Sequence, residues 1–214
     1  MEATAAGRLR YSRGAIILHW VTALFVLFNL VTGLFHHAIP KGIWAFHVSS
    51  GITILALTLI RILWRVMHPR PPYLPMAAWQ RAMAHGVHFL LYCALLAAPL
   101  TGWAMISASV PRPAMQVAVD TAAPQPGPPP KPRQMRVWGV IPLPKLAPIV
   151  AIGEQPGGAE KLRAAHATFE ARHGAVAWIL IGLLALHIGG ALKHQLIDRR
   201  RALARMGIGR PEPV

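Results

Sequence analysis

Acidic residues are scarce. The 214-residue chain has seven Asp and Glu against 22 Lys and Arg, a formal net charge of +15 at pH 7. Charged residues of both signs reach only 14%, well below the roughly 25% of an average globular chain. That is too little charge to cover a water-exposed surface. A basic excess in a soluble protein would suggest nucleic acid. Here apolar residues make up 54%, which argues against nucleic acid and for a membrane protein whose cations sit outside the lipid. The same apolar content excludes disorder as the main state. The one cysteine, Cys93, excludes an intrachain disulfide.

What is present is a set of long uncharged stretches. Gly14–Pro40, Gly42–Ile60, Ala82–Pro111 and His173–Leu192 contain no Lys, Arg, Asp or Glu and run to 27, 19, 30 and 20 residues. About 20 apolar residues cross the hydrocarbon core as a helix, and lipid offers the backbone no hydrogen bonds, so such segments must be helical. The spacing predicts spans over about 15–36, 43–64, 84–106 and 173–194, in a single membrane domain covering 1–214. The first window is too long for a secretory signal and lacks a small-residue cleavage site. Four buried helices of a soluble bundle would each show a polar stripe, and these do not.

Cations near the span ends set the expected orientation. Arg8, Arg10 and Arg13 precede span one; Arg61, Arg65, Arg70 and Arg81 lie between spans two and three; Lys193, Arg199, Arg200, Arg201, Arg205 and Arg210 follow span four. By the positive-inside rule all three segments, and both termini, face the cytoplasm. Residues 195–214 form a cytoplasmic tail. On the outer side, a short turn holds Pro40 and Lys41, and a long loop runs over 107–172. Within it, Pro124–Pro132 reads as extended polyproline. Val137–Ile152 is apolar but too interrupted by prolines for a fifth span, and is expected to lie on the membrane surface, capping the bundle.

The 11 histidines carry the chemical signal. Ionisable residues inside spans are costly and face the bundle interior. His173 and His187 are 14 residues apart, so on a helix they share a face about 21 Å apart. His47 matches His173 at the outer level, and His19 matches His187 at the inner level. Two bis-histidine sites between helices follow. Paired imidazoles suit haem iron, because a porphyrin fills the remaining positions. Zinc would require four ligands at one depth, with no thiol or carboxylate nearby to supply them. No CxxCH is present, so the haem would be held without covalent attachment. Gly14, Gly51, Gly174, Gly182, Gly189 and Gly190 supply gaps of the kind a flat macrocycle needs, and also serve plain helix packing. Trp20, Trp44, Trp64, Trp79 and Trp103 read as interfacial anchors.

The segments RYSRGAIILHW (10–20), HVSSGITILALTLIRILWRVMHPRPP (47–72), HGVHFLLYCALLAAPLTGWAM (85–105) and RHGAVAWILIGLLALHIGGALKHQLIDRR (172–200) resemble bacterial cytochrome b561. The resemblance covers all four spans, about two-thirds of the chain. It implies an all-α transmembrane four-helix bundle in the bacterial inner membrane, with a long periplasmic loop between helices three and four. It also implies two b-type haems with His19, His47, His173 and His187 as axial ligands. Close members of the family oxidise superoxide and reduce ubiquinone. That implies electron entry at the outer haem (His47/His173) and exit from the inner one (His19/His187). Lys41, Arg163 and Arg172 flank the outer ligands in sequence and are candidates for steering a small anion. Ser12, Arg13, Lys193 and His194 are candidates for a quinone site beside the inner haem, His194 lying two turns beyond His187 and offering an imidazole as a proton source.

The insertion around 116–136 departs from the family's smaller members. With Arg112, Arg133 and Arg136 it would suit an acidic periplasmic protein partner. The alternative reading is therefore a cytochrome b anchor subunit passing electrons from such a partner. A haem-free transporter using its histidines for protons is the third.

Overall fold

The computed structural model describes residues 10–38, 40, 42–68, 71, 76–110 and 134–209. Four helices carry the fold: α1 (Arg13–Leu34), α2 (Ile43–Met67), α3 (Ala78–Ser107) and, after a short α4 (Ala147–Gly153), the long α5 (Gly158–Leu192). All four are long and apolar enough to cross a membrane. The start of α1, the end of α2, the start of α3 and the end of α5 share one end of the bundle, here the basic end. The opposite end, with residues 134–157, is the loop end.

Local chemistry sets several boundaries. Ser12 caps α1, its Oγ accepting from Ala15 N at 3.3 Å. α2 stops at Met67, where His68 turns extended (φ −119°, ψ 135°) before the prolines that cannot continue a helix. The Gln80 side chain accepts from Ala77 N at the head of α3. α5 opens after Gly157, which sits at φ 70°. At Gly158 an added Cβ would lie 2.1 Å from Gly153 O, so only glycine lets α4 fold back this tightly onto α5.

The packing is inverted relative to a water-soluble bundle. Among the described residues, the largest fully buried side chains are Thr22, Thr58, Ser49, Ser50 and Ser107. Leu24 (68% exposed), Leu27 (61%), Phe89 (67%) and Leu186 (60%) point outward. In lipid the outward leucines are solvated, and small residues let the helices approach. Each buried hydroxyl except that of Thr58 returns its proton to a carbonyl one turn back, as in Thr22 to Leu18 O at 2.6 Å and Ser50 to Phe46 O at 2.6 Å. Asn29 Nδ2 crosses from α1 to Ser50 Oγ at 2.6 Å and also reaches Phe25 O. Asn29→Ala should lower unfolding stability in detergent by about 1 kcal/mol, within the range of interhelical hydrogen bonds in membranes, as read by denaturant titration.

Close packing joins α1 to α2, α2 to α3, and α3 to α5, whereas α5 does not pack closely on α1 or α2. At mid-bundle, Val26 and Ile54 still meet Leu91, Leu180 and Leu183 in a shared core, and towards the loop end a slot opens between the α1/α2 pair and α5.

α5 begins at Gly158, fifteen residues before the span expected from the sequence. Glu160, Lys161, Arg163, Glu170 and Arg172 hid this extension from a search for uncharged windows. It stands beyond the bundle, with Leu162, Ala165 and Phe169 packed against Ala104, Ala108 and Ile149. Residues 137–152 form a hairpin and α4. The hairpin pairs β1 (Arg136–Val137) with β2 (Ile141–Pro142). Val137 and Leu143 pack with Val48 beside Ile52 and Trp103, so the segment covers the loop end of α2 and α3. Trp138 (φ 53°) and Gly139 (φ 72°) form its tip. Trp138 N donates to Ser49 Oγ at 2.8 Å and its indole to Thr53 Oγ1 at 3.1 Å. Those bonds hold a bulky residue in a left-handed conformation that costs roughly 1–2 kcal/mol.

Candidate functional site

At the loop end, His47 on α2 and His173 on α5 face each other across the slot. Their ring centres are 6.2 Å apart and their planes 75° from parallel. The Thr32 hydroxyl gives its proton to Phe28 O (2.8 Å) and so accepts from His47 Nδ1 at 2.9 Å. His173 Nδ1 donates to Ala98 O at 2.9 Å, with Thr101 Oγ1 at 3.2 Å. Both rings thus carry their proton on Nδ1, which fixes their orientation and leaves Nε2 with its lone pair. Trp44 stacks on His47 at 4.9 Å with an interplanar angle of 1°. A cavity of about 330 Å³ lies here, lined by both histidines, Gly33, Gly51, Gly102 and Gly174 among others. An added Cβ at Gly33 would sit 3.5 Å from His47 Cε1, and one at Gly102 would sit 3.3 Å from His173 Cε1.

At the basic end, His19 on α1 and His187 on α5 have ring centres 6.1 Å apart at 58°. His88 on α3 joins them, edge-on to His187 at 5.0 Å, with its Nδ1 on Ala84 O at 2.6 Å. Arg61 on α2 reaches His19 Nδ1 through Nη2 at 3.3 Å. Trp20 lies edge-on to His19 at 5.1 Å and donates to Met206 O at 2.8 Å. The segment 203–209 is also held to the N-terminal side by Tyr11 N on Arg205 O and Arg10 Nε on Ala204 O.

Four observations bear on what such pairs accept. Two imidazoles on opposite sides of one metal ion, with metal–nitrogen bonds of about 2.0–2.1 Å, have ring centres roughly 6 Å apart. Both pairs have that separation. Among the described residues, no hydrogen bond engages Nε2 of any of the four rings. No group of three or more His, Cys, Asp or Glu is placed to hold a metal among those residues; a bis-histidine haem asks for two protein ligands only, the porphyrin supplying the rest. At the loop end, the cavity and its glycine walls give such a plane room. The residues present fit a bis-imidazole haem.

The remaining residues singled out from sequence are dispersed. Ser12 Oγ accepts from Trp64 Nε1 at 3.0 Å as well as capping α1, and Arg13 is exposed on the first turn. Lys193 and His194 lie in a π-helical turn (Lys193–Ile197) that continues α5. Both bind Asp198, at 2.7 Å to Oδ2 in each case. The Lys193 hydrogen bond, followed by that of His194, holds the Asp198 carboxyl below its ordinary value. Among the described residues no hydrogen bond or ion pair links Ser12 or Arg13 to Lys193 or His194. Arg163 and Arg172 are exposed on the protruding start of α5, Arg172 lying over Phe169 at 5.9 Å. Lys41, Arg112 and Arg133 lie outside the described residues, as does 116–133 of the insertion. Gly33, Gly102, Arg61 and His88 escaped sequence reasoning, since their roles depend on contacts between helices. Of the glycines read as gaps, Gly14 instead packs on Trp64, where a Cβ would meet Cζ2 at 2.5 Å. Trp20 and Trp44 lie near span ends as expected of anchors, yet also touch His19 and His47.

A bundle of four apolar helices with facing imidazoles across an interhelical slot defines a membrane electron-transfer protein of the cytochrome b class. The chain belongs to the prokaryotic cytochrome b561 family, whose model matches residues 10–209. Proteins of this family carry b-type haem. The chain is 27% identical to cytochrome b561 homolog 2 of Escherichia coli (strain K12) over 208 residues, covering 92% of this chain and 90% of that protein. It is 32% identical to cytochrome b561 homolog 1 of the same organism over 107 residues, 47% of this chain and 61% of that one. A third relative, the probable superoxide oxidase CybB of Yersinia pestis, is 29% identical over 102 residues, 45% of this chain and 58% of that protein. For the last two, the match thus spans about three-fifths of the relative's length.

Proposed function

We propose that the protein holds two b-type haems, one between His47 and His173 and one between His19 and His187, and transfers electrons from superoxide to ubiquinone. The observation that carries this reading is the two imidazole pairs, 6.2 and 6.1 Å between ring centres, about 21 Å apart along α5. When bound, the haems supply one-electron carriage between a one-electron donor and a two-electron acceptor. The chain's residues do the rest. Thr32, Ala98 and Thr101 fix the rings of the loop-end pair. Trp44 covers His47. Arg163 and Arg172 make the loop end attractive to a small anion. The excess of Lys and Arg at the basic end supports a cytoplasmic orientation for that end in the bacterial inner membrane.

Superoxide as donor is carried over from the name of the Yersinia relative. Two superoxide ions would leave as dioxygen, and one quinone would take up two electrons and two protons. Lys193 and His194, with Ser12 and Arg13 at the same end of the bundle, are the residues proposed to bind quinone. His194, held by Asp198 at 2.7 Å, would pass a proton there.

The purified protein should show a low-spin b-type spectrum with about two haems per chain, the number the paired sites imply. Pulsed superoxide should reduce it within milliseconds and, with ubiquinone present, yield quinol. Reduction by quinol but not by superoxide would remove superoxide as donor and leave a carrier that serves a periplasmic protein.

A further inference from the structure

Arg61 is a cation at membrane depth without a carboxylate. It lies inside α2, half-buried, two turns before the helix ends. Its guanidinium is 5.6 Å from the centre of the Tyr92 ring and 3.3 Å from His19 Nδ1. α1, α2 and α3 contain no Asp or Glu. Among the described residues, the ion pairs are those of Asp198 with Lys193 and His194. Thr58, one turn earlier on α2, is fully buried and its Oγ1 has no hydrogen-bond partner. An arginine cannot shed its proton, and an uncompensated charge at this depth is costly.

Ligation sharpens the problem. As it stands, Nη2 of Arg61 donates to His19 Nδ1. A histidine that binds metal through Nε2 carries its proton on Nδ1, so Nδ1 becomes a donor and can no longer accept from Arg61. Tyr92 is then its remaining side-chain hydrogen-bond partner, and among the described residues no ion pair joins the guanidinium to a carboxylate. A b-type haem brings its own, in two propionate carboxylates. Arginine is suited to them, because its planar fork binds carboxylate in bidentate fashion. A fixed positive charge beside the iron also favours the reduced state, which carries one positive charge less.

We propose that Arg61 is the counter-charge of a propionate on the basic-end haem, and that its charge raises the reduction potential of that centre. The proposal rests on the reading of His19 and His187 as haem ligands. The test is an optical redox titration with haem quantification on full-length wild type, Arg61→Gln and Arg61→Lys, the basic-end midpoint being assigned from His47→Ala. In Arg61→Gln the basic-end midpoint should fall by at least a tenfold change in the reduction equilibrium, about 59 mV for one electron, with the other midpoint unmoved. Arg61→Lys should keep most of the wild-type value. If the glutamine variant sheds one haem, retention of that haem by the lysine variant supports the same charge role. Two unchanged midpoints in Arg61→Gln at full haem content, or a lysine variant as impaired as the glutamine one, would overturn the proposal. Fewer than two haems in the wild type would instead refute the two-haem reading itself.

Discussion

His187→Ala should halve the haem content, from about two per chain to about one, and abolish quinol formation. On the proposed reading each pair would supply both protein ligands to its centre, so removing one imidazole would leave that haem with a single protein ligand. No other group of three or more potential ligands among the described residues could take over. His88 approaches His187 to 5.0 Å, but edge-on and from α3, with its Nδ1 committed to Ala84 O. The remaining pair lies about four helical turns away on α5 and would take its second ligand from a different helix. It should stay reducible by an external donor. His19→Ala should share this phenotype, and His47→Ala should share that of His173→Ala. Haem content and the reduced-minus-oxidised spectrum of the four variants decide the matter. If His19→Ala grouped with His173→Ala, the pairing across the slot would be refuted.

The sequence made some parts of this legible and hid others for definite physical reasons. Spans could be read because lipid excludes charge, and charge is the easiest feature to locate in a sequence. The same signal fails where a helix leaves the lipid. Glu160 to Arg172 are helical because they are packed on Ala108 and Ile149, and nothing in an uncharged window marks that. The C-terminal end of α2 runs three residues past the expected span of 43–64 for a similar reason, since Arg65 lies inside its last turn. The histidine pattern survived because fourteen residues is close to a whole number of turns, so one helix alone declares its face. What closes around those rings comes from other helices. Thr32, Thr101 and Gly102 look like ordinary membrane packing residues, and Trp44 looks like any interfacial tryptophan. Their contacts with His47 and His173 are fixed only by the way α1, α2, α3 and α5 meet.

Gly102→Val should remove the loop-end haem without touching a ligand. Gly102 faces the slot from α3, and a Cβ there would lie 3.3 Å from Cε1 and 3.5 Å from Nδ1 of His173. That is tight for a single carbon. The His173 ring cannot easily yield, because Nδ1 is held by Ala98 O at 2.9 Å and Thr101 lies behind it. Valine adds two further methyl groups on a stiff χ1, and overpacking of this kind typically costs about 1–3 kcal/mol even in an apolar core. Here the group displaced is the imidazole itself, so the cost falls on its orientation. Gly102→Ala should keep the haem with a shifted spectrum, since a single methyl needs only a few tenths of an ångström. Gly182→Ala is the control, because a Cβ there meets nothing within 4 Å. Haem content should follow the order Gly182→Ala, Gly102→Ala, Gly102→Val, with the last near half of wild type and its basic-end spectrum intact. Full haem content in Gly102→Val would mean that the plane between His47 and His173 does not extend past α3, and that the slot is wider than the glycine wall requires.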